Sequence, residues 1–299
     1  MLTPHSINNS GLRLSLALVL LCCATTQAQA GEWSLNIGGF YSQSDTNMQV
    51  TDPLVGNDFD LDFESDLQLA ENEFLPLFEL GYRFNDRHHI YFDWKQLHRS
   101  AETQAVSRPF QIQIDDTVYD VKAGGQLGTT LNIDIARIGY GYDLFQGNGY
   151  NIGVSVGLHT MFIESSFEGS IGACATSELS GNICSAQPIP RLVDESVTAP
   201  LPNIGLFGDY ELAPGWQFNL HAQYFSVRLD DLKGSLVDIR AGMKTTLSDR
   251  WDITLAYNYY KVDVDVDVRQ SASDAAVKVA DYNLYYSFIG PMLWISYRF

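Results

Sequence analysis

Beyond residue 30, no stretch of the chain approaches the twenty consecutive apolar residues that a membrane-crossing helix needs, so a helical membrane protein is excluded. Positive charge is scarce. Lys and Arg number 18 against 36 Asp and Glu, for a net charge of −18. Nucleic acid requires a basic footprint for its phosphates, so that class of partner is excluded as well. Cysteine is sparse, with four in 299 residues, and from Asp45 to Glu73 there is neither Lys nor Arg. What is present is 45% hydrophobic and 12% aromatic residues with 24 Gly, a composition for a β-rich, turn-rich chain.

Residues 1–30 read as a secretory signal. Arg13 supplies a thin positive region, and ‘LSLALVLLCCA’ (14–24) is an apolar core too short to span a bilayer. ‘AQA’ (28–30) satisfies the small-x-small rule for cleavage before Gly31. A lipoprotein site at Cys22 or Cys23 wants a small residue before the cysteine, and Leu21 and Cys22 stand there. The expected mature chain, 31–299, is more acidic still: 17 basic residues against 36 acidic give −19. It keeps Cys174 and Cys184, which in an exported chain are expected to form one disulfide closing a short loop.

Alternation of apolar and polar residues recurs along the mature chain in ten segments. In ‘FLPLFELGYRF’, Phe74, Phe78, Leu80, Tyr82 and Phe84 share one face, with Glu79 and Arg83 on the other. ‘IYFDWKQ’ sets Ile90, Phe92 and Trp94 against Asp93 and Lys95, and ‘LVDIRAGMKTTL’ sets Val237, Ile239 and Met243 against Asp238, Arg240 and Lys244. The pattern runs to the last residue, with Leu293, Ile295, Tyr297 and Phe299 at every second position. ‘TLNIDI’ (130–135) alternates in the opposite phase to Ile138–Leu144, which predicts a bulge between them. Pro76 and Pro291 fall inside strands and predict further bulges or displaced boundaries.

Connectors alternate in length. ‘NDRHH’, ‘QGNG’, ‘ELAPG’ and ‘SDR’ are tight-turn sequences, whereas about 42–73, 98–130, 164–200, 228–234 and 261–283 are expected to be long loops. Alternation alone does not separate a soluble β-sandwich from a membrane barrel. Strand length, the turn asymmetry and aromatics near the strand starts (Trp33, Phe84, Tyr150, Trp216, Trp251) favour the barrel. The expected fold is an all-β, transmembrane, antiparallel up-and-down barrel of about ten strands, with eight and twelve as bounds.

The signal, the alternating strands and the terminal ‘WISYRF’ resemble the Gram-negative outer-membrane β-barrel superfamily, which includes small OmpA/OmpW-like barrels. In that superfamily a terminal Phe, preceded by apolar or aromatic residues at alternating positions, is the signal read by the barrel-assembly machinery. Leu293, Ile295, Tyr297 and Phe299 match it. The resemblance implies an outer-membrane location. It also implies periplasmic chaperones, the assembly machinery, outer-membrane lipid and lipopolysaccharide as partners.

Three sets of residues could carry chemistry. Glu79, Arg83, Asp93, Lys95, Asp238, Arg240 and Lys244 would face the lumen, either as an ion-pair network sealing it or as the lining of a narrow pore. Two acid-rich stretches, with Asp58, Asp60 and Asp62 in one and Asp263, Asp265 and Asp267 in the other, are a solvated surface or a site for Ca²⁺ or Mg²⁺; no EF-hand spacing is present. His98, Ser100 and Glu102 fall on one face of a strand. The first two resemble the His-x-Ser pair of outer-membrane lipid A deacylases, but Ala101 stands where that family has Asn, and the later Asn-Pro-Gly is missing. Ten strands also resemble the omptin proteases, whose Asp/Asp and Asp/His rim pairs match no motif here. No cofactor is expected. The expected function is non-enzymatic: structure, surface contact or narrow-pore permeation of small solutes. The alternative is a hydrolase acting on lipid A or peptides.

Overall fold

The computed structural model describes residues 31–299 except 53–56, 104–109, 115–116, 122–126, 178–180, 185–188, 229–231 and 273–274, so the expected signal segment lies outside it. The first seven strands are β1 (Glu32–Asp52), β2 (Asn57–Asp62), β3 (Asn72–Arg83), β4 (His88–Thr103), β5 (Phe110–Ile114), β6 (Thr117–Val121) and β7 (Leu127–Gly147). The other seven are β8 (Tyr150–Ser177), β9 (Gly181–Cys184), β10 (Ile189–Ala213), β11 (Trp216–Arg228), β12 (Leu232–Ser248), β13 (Trp251–Ala272) and β14 (Ala275–Arg298). Ten of them close an antiparallel barrel in the order β1, β3, β4, β7, β8, β10, β11, β12, β13, β14 and back to β1. The short β2, β5, β6 and β9 extend it at one end.

The opposite end carries the tight turns, where Gly149 and Gly215 adopt φ of 81° and 77° that L side chains resist. There Phe299 exchanges backbone hydrogen bonds with Trp33, at 3.0 and 3.1 Å, and stacks on its ring. The final residue of the sequence thus sews the last strand to the first. Trp216, Trp251, Phe84 and Tyr150 stand exposed at the same level. Above them, toward the loop end, an outward belt includes Ile37, Phe78, Ile138, Ile152, Leu206, Leu220, Leu255 and Ile295.

Beyond the belt the strands do not stop. Much of what reads as long loop in the sequence is paired strand, and β8 reaches 28 residues where about ten suffice to cross a bilayer. The apolar residues change sides there. Along β7 every second residue from Leu127 to Asp143 is buried without a change of phase, and its ladders to β4 and β8 run unshifted through the region. No bulge separates ‘TLNIDI’ from Ile138. Leu131, Ile133 and Ile135 point inward because their outward neighbour is no longer apolar, and the residues between them turn to water. The strand keeps its register and the surroundings invert.

Above the belt the barrel also parts into two leaves. The β3–β4 ladder ends at Leu77–Lys95 and the β10–β11 ladder at Ile204–Tyr224, although β4 and β10 run on. One leaf is β11–β12–β13–β14–β1 with β2 and the first residues of β3, and the other is β4–β7–β8–β10. Their inner faces pack together like a sandwich. Phe40, Leu236, Tyr260, Tyr286 and Phe288 from the first meet Leu97, Leu131, Ile133, Met161 and Leu201 from the second.

Proline marks the free edges. Pro76 lies one residue past the end of the β3–β4 ladder, and Pro200 and Pro202 lie past the end of the β10–β11 ladder. A missing N–H costs nothing where no neighbouring strand accepts it. Pro291 shifts no register either; the β1–β14 ladder skips Tyr41 and Ser42 opposite it, and the Gly290 Cα sits so near the Tyr41 carbonyl that a Cβ would lie 2.0 Å from its oxygen.

Inversion without slippage predicts opposite sensitivities for neighbours on β7. Ile133→Ala should cost about 2–5 kcal/mol, and Asn132→Ala should stay within about 0.5 kcal/mol. Urea unfolding in lipid vesicles, followed by tryptophan fluorescence, measures both.

Candidate functional site

Immediately beneath the sandwich core lies a buried layer of charge. Arg137, 2% exposed, is its centre. Its Nε donates to Asp93, its Nη1 donates to Gln223 Oε1 at 3.0 Å and Asp238 Oδ2 at 3.3 Å, and its plane covers the Tyr91 ring at 5.1 Å. Asn258 holds Asp238 by a 2.7 Å bond and receives Lys95 Nζ at 3.5 Å. Glu79 takes Asn36 Nδ2 at 2.6 Å and Arg240 at 3.4 Å. Three cations (Lys95, Arg137, Arg240) therefore meet three carboxylates (Glu79, Asp93, Asp238). Charges stripped of water survive only when paired and hydrogen-bonded.

Between this layer and the turn end is a polar cavity of about 450 Å³, lined among others by Arg83, His89, Asn219, His221, Lys244 and Asp252. Arg83 pairs with Asp143 at 2.8 Å and Arg298 with Asp252 at 3.3 Å. All seven lumen charges expected from the sequence lie inside the barrel. Five join the buried layer, while Arg83 and Lys244 line the cavity. Sequence reasoning missed Arg137 itself, along with His159, Gln223 and Asn258. Its signal was available: in ‘RIGYGYDLF’ it falls on the face opposite Ile138 and Tyr140.

The loop-end half of the interior is filled. Between β2 and β3 the chain leaves the wall and turns inward, placing Phe63, Leu67 and Leu69, with Leu61 of β2, in the core. Asp62 caps this excursion, accepting from the N–H groups of Glu64 (3.0 Å) and Ser65 (2.8 Å). Glu64 fastens it: one carboxylate oxygen takes the buried Arg99 guanidinium of β4, and the other takes the Thr46 N–H at 2.9 Å. Arg99 also donates to Thr46 Oγ1 at 2.6 Å and the Ala70 carbonyl at 3.3 Å. A polar lumen is thus stoppered by an apolar plug held by one buried ion pair.

His98, Ser100 and Glu102 face outward above the belt. The His98 ring is held by Asp134 at 3.1 Å, and among the described residues no hydrogen bond joins it to Ser100. Asp263 and Asp265 are both engaged by the Asn283 amide, at 3.1 and 2.6 Å. Asp60 faces outward at the surface beside the capping Asp62. The side chains of Asp58 and Asp267 lie outside the described residues. Among the described residues no group of three or more His, Cys, Asp or Glu is placed to hold a metal. Cys174 and Cys184 stand directly opposite one another in the β8–β9 ladder; their side chains are outside the description.

No family model matches the sequence, and no curated protein matches it. Among solved structures, the outer membrane protease OmpT from Escherichia coli superposes with a TM-score of 0.54 at 11% identity, over 92% of this chain and 100% of that one. The fold is that of an outer-membrane β-barrel. Weaker likenesses extend to the attachment invasion locus protein Ail of Yersinia pestis (TM-score 0.34, 13% identity, 91% and 100% covered) and the outer membrane protein AlkL (0.34, 10%, 100% and 97%). At such identities the barrel is what is shared.

Removing Arg137 strands two buried carboxylates. Arg137→Met should destabilise the barrel by about 3–5 kcal/mol, and adding Asp93→Leu should restore most of it, since charge then balances again; denaturant midpoints decide. At the outward face above the belt, partial desolvation with the Asp62 and Glu71 carboxylates nearby raises the Asp45 carboxyl above its ordinary range. A raised pKa means the folded state holds the proton more tightly, so this contribution is present at low pH and lost as pH rises through the folded value. The urea midpoint should therefore fall less steeply in Asp45→Asn than in wild type between about pH 4 and about pH 7.

Proposed function

We propose that the protein is a closed, non-enzymatic barrel of the Gram-negative outer membrane whose working part is the rigid extension at the loop end, presented outside the cell for surface contact. The observation that carries this reading is the plug. Leu61, Phe63, Leu67 and Leu69 pack with the inner faces of both leaves and fill the outer half of the lumen above a neutralised charge layer. A solute passage would have to break both. The belt supplies the contact with membrane lipid, and the terminal Leu293, Ile295, Tyr297 and Phe299 supply the assembly signal.

Charge supports the same reading. The described residues of segments 42–73, 97–135, 163–203, 225–237 and 258–288, which lie beyond the belt, include 20 acidic and 7 basic ones. About two-thirds of the net charge of the mature chain is therefore on the described part of the extension. Such a field keeps the exposed part soluble and repels other acidic surfaces. The opposition of Cys174 and Cys184 in one ladder supports a disulfide bracing its tip, adding about 2–3 kcal/mol by loop closure.

Purified protein in planar bilayers should be silent, and excising 63–71 should create conductance only when Arg137→Ala with Asp93→Ala also opens the charge layer. Stable wild-type channels would defeat the closed-barrel reading. The bridge is tested separately: a maleimide–polyethylene glycol gel shift should appear only after reduction.

A further inference from the structure

The two seams between the leaves are not alike. The β3–β4 seam is clasped by Arg99, which ties β4 to Glu64, Thr46 and Ala70 across it. At the β10–β11 seam no hydrogen bond crosses above Ile204–Tyr224 among the described residues. Its edge on β10 carries Pro200 and Pro202, which blunt it against pairing with another strand. The seam opens at the upper margin of the apolar belt, where Ile204 and Tyr224 are exposed, and its inner side is apolar, with Leu201, Ala199, Phe225 and Leu236.

Two further observations converge there. Asn203, the first residue above the last paired row, points inward and is 4% exposed, yet neither atom of its amide has a hydrogen-bond partner. A buried amide with both groups idle is rare and marks a row where the wall is left unfinished. It lies over the Cα of Gly157, where a Cβ would come within 3.2 Å of its Oδ1. Outside, Arg228 and Lys233 are exposed and face each other across β11 and β12, and Lys261 lies four residues above Tyr257 on β13. Among the described residues these are the outward-facing cations of an otherwise acidic extension.

We propose that the β10–β11 seam is a lateral binding site for a single-chain anionic amphiphile of the outer leaflet. One acyl chain lies in the seam between the strands, above the Asn203 row, and a carboxylate or phosphate head rests on Arg228 and Lys233. The seam parts only one strand from the next, which suits one chain rather than a multi-chain lipid. A charged head at the rim is held by charge-assisted hydrogen bonds, and its tail gains by leaving water. The proposal rests on the loop end facing outward; its test does not depend on whether the barrel conducts.

Dansyl-labelled undecanoic acid is titrated against the protein in lipid nanodiscs. Saturable enhancement of emission is expected for wild type. It should vanish when Asn203→Cys and Phe225→Cys, in a Cys174→Ser, Cys184→Ser chain, are bridged by a short bifunctional thiosulfonate, and return on reduction. Arg228→Glu with Lys233→Glu, both on the surface and harmless to folding, should weaken binding about tenfold or more, and should not affect the methyl ester of the probe. Absence of saturable binding, equal binding by the bridged protein, or indifference to charge reversal each overturns the proposal. Displacement by lipopolysaccharide but not by unlabelled undecanoate overturns it too, since the occupant would then carry several chains.

Discussion

Everything in this molecule follows from strands that hold one register while the medium around them changes. A strand's side chains alternate with period two, so a slip of one residue would exchange its faces everywhere. Here the faces stay fixed and the apolar residues cross over. Beside the belt, Ile138 and Tyr140 of β7 face outward; past it, Leu131, Ile133 and Ile135 face inward. The lower part is built like a membrane barrel and the upper part like a soluble sandwich, on the same ten strands.

The level of inversion fixes where charge can sit. Below it the interior must be polar because the apolar residues are spent on the outside; above it the interior must be apolar because water is outside. The layer around Arg137 lies at the boundary, roofed by the core and floored by the cavity. That position explains its stoichiometry. With little water to screen them, Glu79, Asp93 and Asp238 each need a cation, and three are present. Exposed pairs on the extension, such as Lys261–Asp263 at 3.7 Å, are under no such constraint and contribute little.

Much of this was legible in the sequence, and the gaps have physical causes. The number of strands and the inward parity of Asp93, Lys95, Asp238 and Arg240 follow from alternation, which is local. The change of phase at ‘TLNIDI’ was visible too, but a bulge and an inversion give the same string; only the unbroken ladder of β7 to its neighbours tells them apart. Which charges meet across the lumen depends on closure, which sets β4 and β7 against β11 and β12, far apart in sequence. The plug was hidden for another reason. Leu61, Phe63, Leu67 and Leu69 stand among nine acidic residues between Asp45 and Glu73, so the stretch reads as solvated although its apolar side chains are what it buries.

The prolines carry the last step. In a closed barrel a proline inside a strand removes a donor that nothing else supplies, so Pro76, Pro200 and Pro202 look like faults. Once the barrel is seen to part into leaves they become edge markers, each just past the end of a ladder. Edges left open must be covered or made unable to pair. The β3–β4 edge is covered by the excursion and clasped by Arg99, which replaces absent backbone bonds with side-chain ones. The β10–β11 edge has proline alone. Among the described residues, the apolar interior behind this unclasped edge, at the upper margin of the outward belt, is closed off by neither a ladder nor a side-chain clasp.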